Sequence, residues 1–75
     1  MAKLNQIIPG AVFRHYKGQE YKIVTLAKNE SNEEDVVVYE ALYGDHKIWV
    51  RRLESFCDDV TVDNVGRERF SLQQG

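Results

Sequence analysis

Residues 36–52, V-V-V-Y-E-A-L-Y-G-D-H-K-I-W-V-R-R, constrain the fold more than any other part of the chain. Two runs rich in β-branched and aromatic residues flank a Gly44-Asp45 turn, the pattern of an antiparallel hairpin. This hairpin holds the only tryptophan, Trp49, together with Tyr39, Tyr43, Arg51 and Arg52. A strand turns alternate side chains to opposite faces, so a one-residue slip in pairing exchanges the two faces. With a three-residue loop, Gly44-Asp45-His46, Tyr43 pairs with Lys47 and Ala41 with Trp49. One face then carries Val38, Leu42, Ile48 and Val50, interrupted by Glu40. The other carries Tyr39, Tyr43, Lys47, Trp49 and Arg51. A two-residue Gly-Asp loop pairs Trp49 with Glu40 and mixes both faces. The odd loop sorts aliphatic from aromatic and cationic side chains. The expectation is that the aliphatic face turns inward while the indole and guanidinium share a wall open to water.

The rest of the chain reads as further short strands. Residues 1–8 are a lead-in, and Pro9-Gly10 is the first firm turn signal. Residues 11–16 alternate and are rich in β-formers, Lys17-Gly18-Gln19 is a turn, and residues 20–28 are a second strand. An odd loop ending at Gly18 sets Phe13 opposite Tyr21 and Ala11 opposite Ile23, with His15 on the Phe13 face. Residues 29–34 are an acidic loop. Strands at 35–43 and 47–52 make the central hairpin, and residues 53–58 form a single helical turn. Residues 59–62 and 69–72 are two short strands around 63–66, and residues 73–75 fray. Five or six short strands with almost no helix predict an all-β fold, a small SH3-like barrel occupying residues 1–75 as a single domain. An OB-like barrel is the alternative, for which 75 residues is short.

Composition narrows the function classes. A 43% hydrophobic and 29% charged chain is globular rather than disordered. So short a chain buries only roughly 60–65% of its unfolded surface, so its stability margin is thin. The single cysteine, Cys57, cannot form an internal disulfide, which fits a reducing compartment. With no signal peptide and no apolar run long enough to span a bilayer, the expected location is cytoplasmic, with no membrane partner. The net charge of −2 hides an alternation: residues 14–28 carry +3, 29–45 carry −6, 46–53 carry +3 and 54–63 carry −4. An acidic total argues against bulk nucleic-acid binding, yet the two basic segments make a local patch if they lie side by side. The competing reading is that acids fill loops and bases guard strand edges for solubility.

The pattern P-G-x-x-x-R-H-Y-K-G-x-x-Y at residues 9–21, V-V-Y-x-A-L-Y-G at 37–44 and W-V-R at 49–51 resembles a small bacterial family. It is the domain-of-unknown-function family numbered 1653, and the likeness runs on through Phe56 to Arg69-Phe70. The resemblance implies a compact SH3-like β domain and brings no established activity. Arg52 stands where such members are expected to carry proline, and it adds charge beside Trp49.

Trp49, Tyr39, Tyr43 and Arg51 are the leading candidate ligand-binding residues, because aromatic faces beside arginine suit stacking on bases, prolines or cations. The same rings serve equally to finish a small core. Arg14, His15 and Lys17 precede the Gly18 turn, where a loop can present cations to phosphate or carboxylate, and His15 can change charge near neutral pH. Cys57 beside Asp58-Asp59 lacks the cationic neighbour a nucleophilic thiol needs. His15, His46 and Cys57 have no metal-ligand spacing, so no metal and no cofactor are expected. The resulting expectation is a non-enzymatic binding module for a nucleic acid or a protein. The alternatives are a small enzyme or catalytic accessory pairing His15 with a carboxylate such as Asp58 or Asp59, and a self-associating domain whose partner is a second copy.

Overall fold

The computed structural model describes residues 4–73. The parts of the expected lead-in and frayed end at residues 1–3 and 74–75 lie outside the described residues. A 3-10 helix, Leu4–Gln6, precedes β1 (Val12–His15), β2 (Glu20–Lys28), β3 (Asp35–Ala41) and β4 (Ile48–Arg52). There follow one short helix, α1 (Leu53–Cys57), then β5 (Asp59–Val62), β6 (Val65–Glu68) and β7 (Phe70–Gln73). Among the described residues the fold is all-β with one short α-helix, and the strands number seven rather than five or six. The strand absent from the sequence reading is β6. Its run V-G-R-E contains a glycine and two charges and is exposed throughout, so no hydrophobic alternation announces it. It forms because Asp63 and Asn64 both take positive φ, 51° and 64°, the turn that joins two strands most tightly, and Val62 then faces Val65. Gln73, expected to fray, is paired with Val12.

The main sheet is antiparallel in the order β4-β3-β2-β1-β7, and β5 and β6 form a separate hairpin. No ladder joins β4 to β7 among the described residues, so the sheet stays open rather than closing into a hydrogen-bonded barrel. It curls nonetheless. Arg51 of β4 lies over the Phe70 ring of β7, 5.7 Å from its centroid, although three strands separate them in the sheet. Phe56 of α1 fills the curl, stacked on Phe70 at 4.1 Å and meeting Phe13 and Tyr39 edge-on. Ile7, Ile23 and Val37 complete this core, so the expected lead-in contributes one of its buried side chains.

The first hairpin pairs as expected: Phe13 faces Tyr21, and Ile23 N–H donates to the Ala11 carbonyl at 2.8 Å. Gly18, at φ 106°, makes the turn possible. The second hairpin differs. Tyr39, not Ala41, faces Trp49, and Ala41 N–H donates to the Lys47 carbonyl at 2.9 Å, a register displaced by two residues. The longer loop absorbs the difference with Gly44 and His46 at positive φ. A shift of two preserves parity, so the same side chains share faces, but the inward face is the opposite one. Val37, Tyr39 and Ala41 are buried, whereas Ile48 and Val50 are 57% and 63% exposed. The hairpin does not choose its inner face alone. β1, β2 and β7 bring Phe13, Ile23 and Phe70 to the Tyr39 side, and α1 adds Phe56 there. Aromatic rings bury more surface than the aliphatic set would.

Candidate aromatic-cationic site

Trp49 lies on the core side of the sheet, but β4 is an edge strand with a neighbour on one side only, so the indole is 46% exposed. It lines a concavity of about 270 Å³ with Ala41, Tyr43, Gly44, Asp45 and Lys47. Tyr43 is also exposed, and its hydroxyl lies 2.8 Å from that of Tyr21. The Tyr21 ring in turn meets Tyr39, Tyr43 and Phe70 edge-on. Burial and then the Tyr43 hydroxyl push the Tyr21 phenol up to about 12, so it stays protonated and can donate or accept across the rim.

Arg51 follows Trp49 by two residues and so projects from the same face of β4. It donates to the Ser55 hydroxyl at 3.0 Å while its guanidinium lies over Phe70. His15 reaches the same Phe70 ring from β1, at 5.0 Å, and also lies against Tyr16. Its Nδ1 accepts the Lys17 backbone N–H at 3.2 Å, which places the proton of the neutral ring on Nε2. Burial lowers the His15 pKa, and the positive charges of Arg51, Lys17 and Arg69 lower it further. Three cationic side chains therefore converge on His15 of β1, from β4, the first turn and the residue before β7. Arg69 is engaged, donating to Asp58 at 2.7 Å, a bond that raises its own pKa.

Trp49 and Tyr43 line one concavity with Lys47, and His15 lines another beside the first turn with Arg14, Tyr16 and Gly18; Arg51 and His15 meet at the Phe70 ring. One expected member lies elsewhere, and another is already engaged. Tyr39 is packed inside, 7% exposed. Arg14 lines the His15 concavity but is paired with Glu20 at 3.1 Å. The sequence reading did not single out Tyr21 or Arg69. Tyr21 was nevertheless within reach of it, since the Phe13–Tyr21 pairing already put that ring on the His15 face.

The charged groups that act on His15 are cations, while Asp58 is taken by Arg69. Burial and then Asp58 push the Cys57 thiol up, away from the reactive thiolate. His46 lies 3.1 Å from Glu40, on the other side of the hairpin. Among the described residues no group of three or more His, Cys, Asp or Glu side chains could hold a metal ion, and no helix is long and apolar enough to cross a membrane.

Fold and site together define a class: a small all-β domain whose open, curled antiparallel sheet carries an aromatic and cationic mouth. The chain belongs to the family described as Protein of unknown function (DUF1653), whose model matches residues 11–72. It is similar in structure to a protein of that family from Bordetella bronchiseptica, with a TM-score of 0.78 and 32% identity over 92% of this chain and 90% of that one. No curated protein matches it.

Proposed function

We propose that this protein is a cytoplasmic, non-enzymatic binding module: an SH3-like barrel left open between β4 and β7, which takes a ligand presenting a flat ring beside an anionic group. Single-stranded nucleic acid has both in every unit, a base that stacks and a phosphate that pairs with cations. The observation that carries the reading is the half-exposed Trp49 on the same strand face as Arg51. Two positions along a strand separate them by about 6.6 Å, close enough for one ligand unit to touch both. Lys17, beside His15, extends the cationic side of this mouth, and Tyr43 extends the aromatic side. The charges that shift His15 are those of Arg51, Lys17 and Arg69, which disfavour its protonated form.

The experiment is titration of a labelled oligothymidylate into the protein, read by anisotropy and by quenching of Trp49 emission. Trp49→Ala and Arg51→Ala, each checked for a native fold by circular dichroism, should weaken binding by about tenfold or more. Affinity should also fall steeply with salt. Binding that survives both substitutions overturns the site. A ligand whose affinity ignores salt is a protein segment rather than a nucleic acid.

A further inference from the structure

The outer edge of β4 is where unpaired backbone, apolar side chains and unpaired cations coincide. Ala41 donates to the Lys47 carbonyl, so these two are a hydrogen-bonded pair, and the alternation of an antiparallel ladder makes Tyr39–Trp49 and Val37–Arg51 bonded pairs too. Ile48, Val50 and Arg52 therefore turn their N–H groups away from β3, and Ile48 and Val50 turn their carbonyls the same way. No strand of the described residues lies on that side. The Ile48 and Val50 side chains stand on the outer face, both more than half exposed, and Trp49 stands on the inner one. Cations bracket this triplet: Lys47 before it, Arg51 and Arg52 after it. Among the described residues neither Lys47 nor Arg52 is ion-paired.

We infer that β4 accepts an added strand from a partner protein, an extended segment with apolar residues at alternate positions and acidic residues flanking them. The main-chain groups of Ile48 and Val50 supply the hydrogen bonds, and their side chains with that of Trp49 grip alternate partner residues from the two faces. Charge decides the occupant. A second copy, pairing antiparallel about Val50, would set Trp49 against Arg51 and Ile48 against Arg52. Lys47, Arg51 and Arg52 of both copies would then crowd one seam, where like charges repel. An acidic segment neutralises the same seam and is drawn to it from a distance. This edge shares Lys47, Trp49 and Arg51 with the aromatic-cationic mouth, and the outward amides of Ile48 and Val50 report on the edge alone.

The test is hydrogen exchange on the intact, isotope-labelled protein with a short synthetic peptide that alternates valine and threonine and ends in glutamates. Exchange of the Ile48 and Val50 amides should slow by about tenfold or more at saturation, and a lysine-ended counterpart should give no protection. Ile48→Pro should abolish the effect while sparing the β3–β4 ladder, because the lost N–H points outward from the first residue of the strand. Should that variant misfold, the same peptide N-methylated at alternate residues provides the equivalent loss on the unaltered protein. Three outcomes overturn the inference: no protection, equal protection by both peptides, or protection that grows with protein concentration alone, which would make a second copy the occupant.

Discussion

Phe56 is fully buried, stacked on Phe70 and touched edge-on by Phe13 and Tyr39, so one side chain of a five-residue helix ties β1, β3 and β7 together. Phe56→Ala removes all three contacts and leaves a ring-sized void. The expected loss is about 3–5 kcal/mol in urea unfolding, a large part of what a domain of this size has. His15 supplies a pH dependence whose sign follows from its surroundings. Its folded-state pKa lies below the ordinary 6.5, so on acidification the unfolded chain takes up the proton first. The stability it contributes is complete above about pH 6.5 and is lost as pH falls from there through the folded value. Thermal melts between pH 7 and 5 should therefore show Tm falling, and His15→Gln should melt lower but with a flatter slope.

At the scale of elements, the turns decide which parts of the fold the sequence could disclose. β2 and β5 have the bounds the residues suggest, Glu20–Lys28 and Asp59–Val62, because β-branched and aromatic runs there end in polar neighbours. The first hairpin was legible because Gly18 fixes its loop. A Cβ at that position meets nothing within 4 Å, so the cost of Gly18→Val is backbone strain at φ 106° rather than collision. It should destabilise by about 1–2 kcal/mol in the same urea assay. The second hairpin was legible in parity but not in register. Its loop needs His46 at φ 54°, and nothing about a histidine announces a left-handed backbone. Its inward face was misjudged because hydropathy within the hairpin favoured Ile48 and Val50, while the rings that set the inner face come from α1 and β7, remote in sequence. The same remoteness hid Arg69 from the candidate site. The pairing of Trp49 with Arg51 needed only alternation along one strand, and so it could be read directly.

The whole molecule measures 37 × 26 × 22 Å, longer than a compact ball of this chain length. Part of the elongation has a visible source. From Val24 onward, past an irregularity between Ile23 and Thr25, every residue of β2 is exposed, and the Lys28–Asp35 ion pair lies at the far end of this arm. The core thus occupies only one end of the longest strand. At that end the sheet curls with no hydrogen bond between its outermost strands, and the Arg51 side chain of β4 rests on Phe70 of β7. The open sheet has there a clasp made of side chains, not a seam of main chain. Parting such a clasp costs no ladder bond, so a change in the distance between the two edges leaves every backbone pairing of the sheet intact.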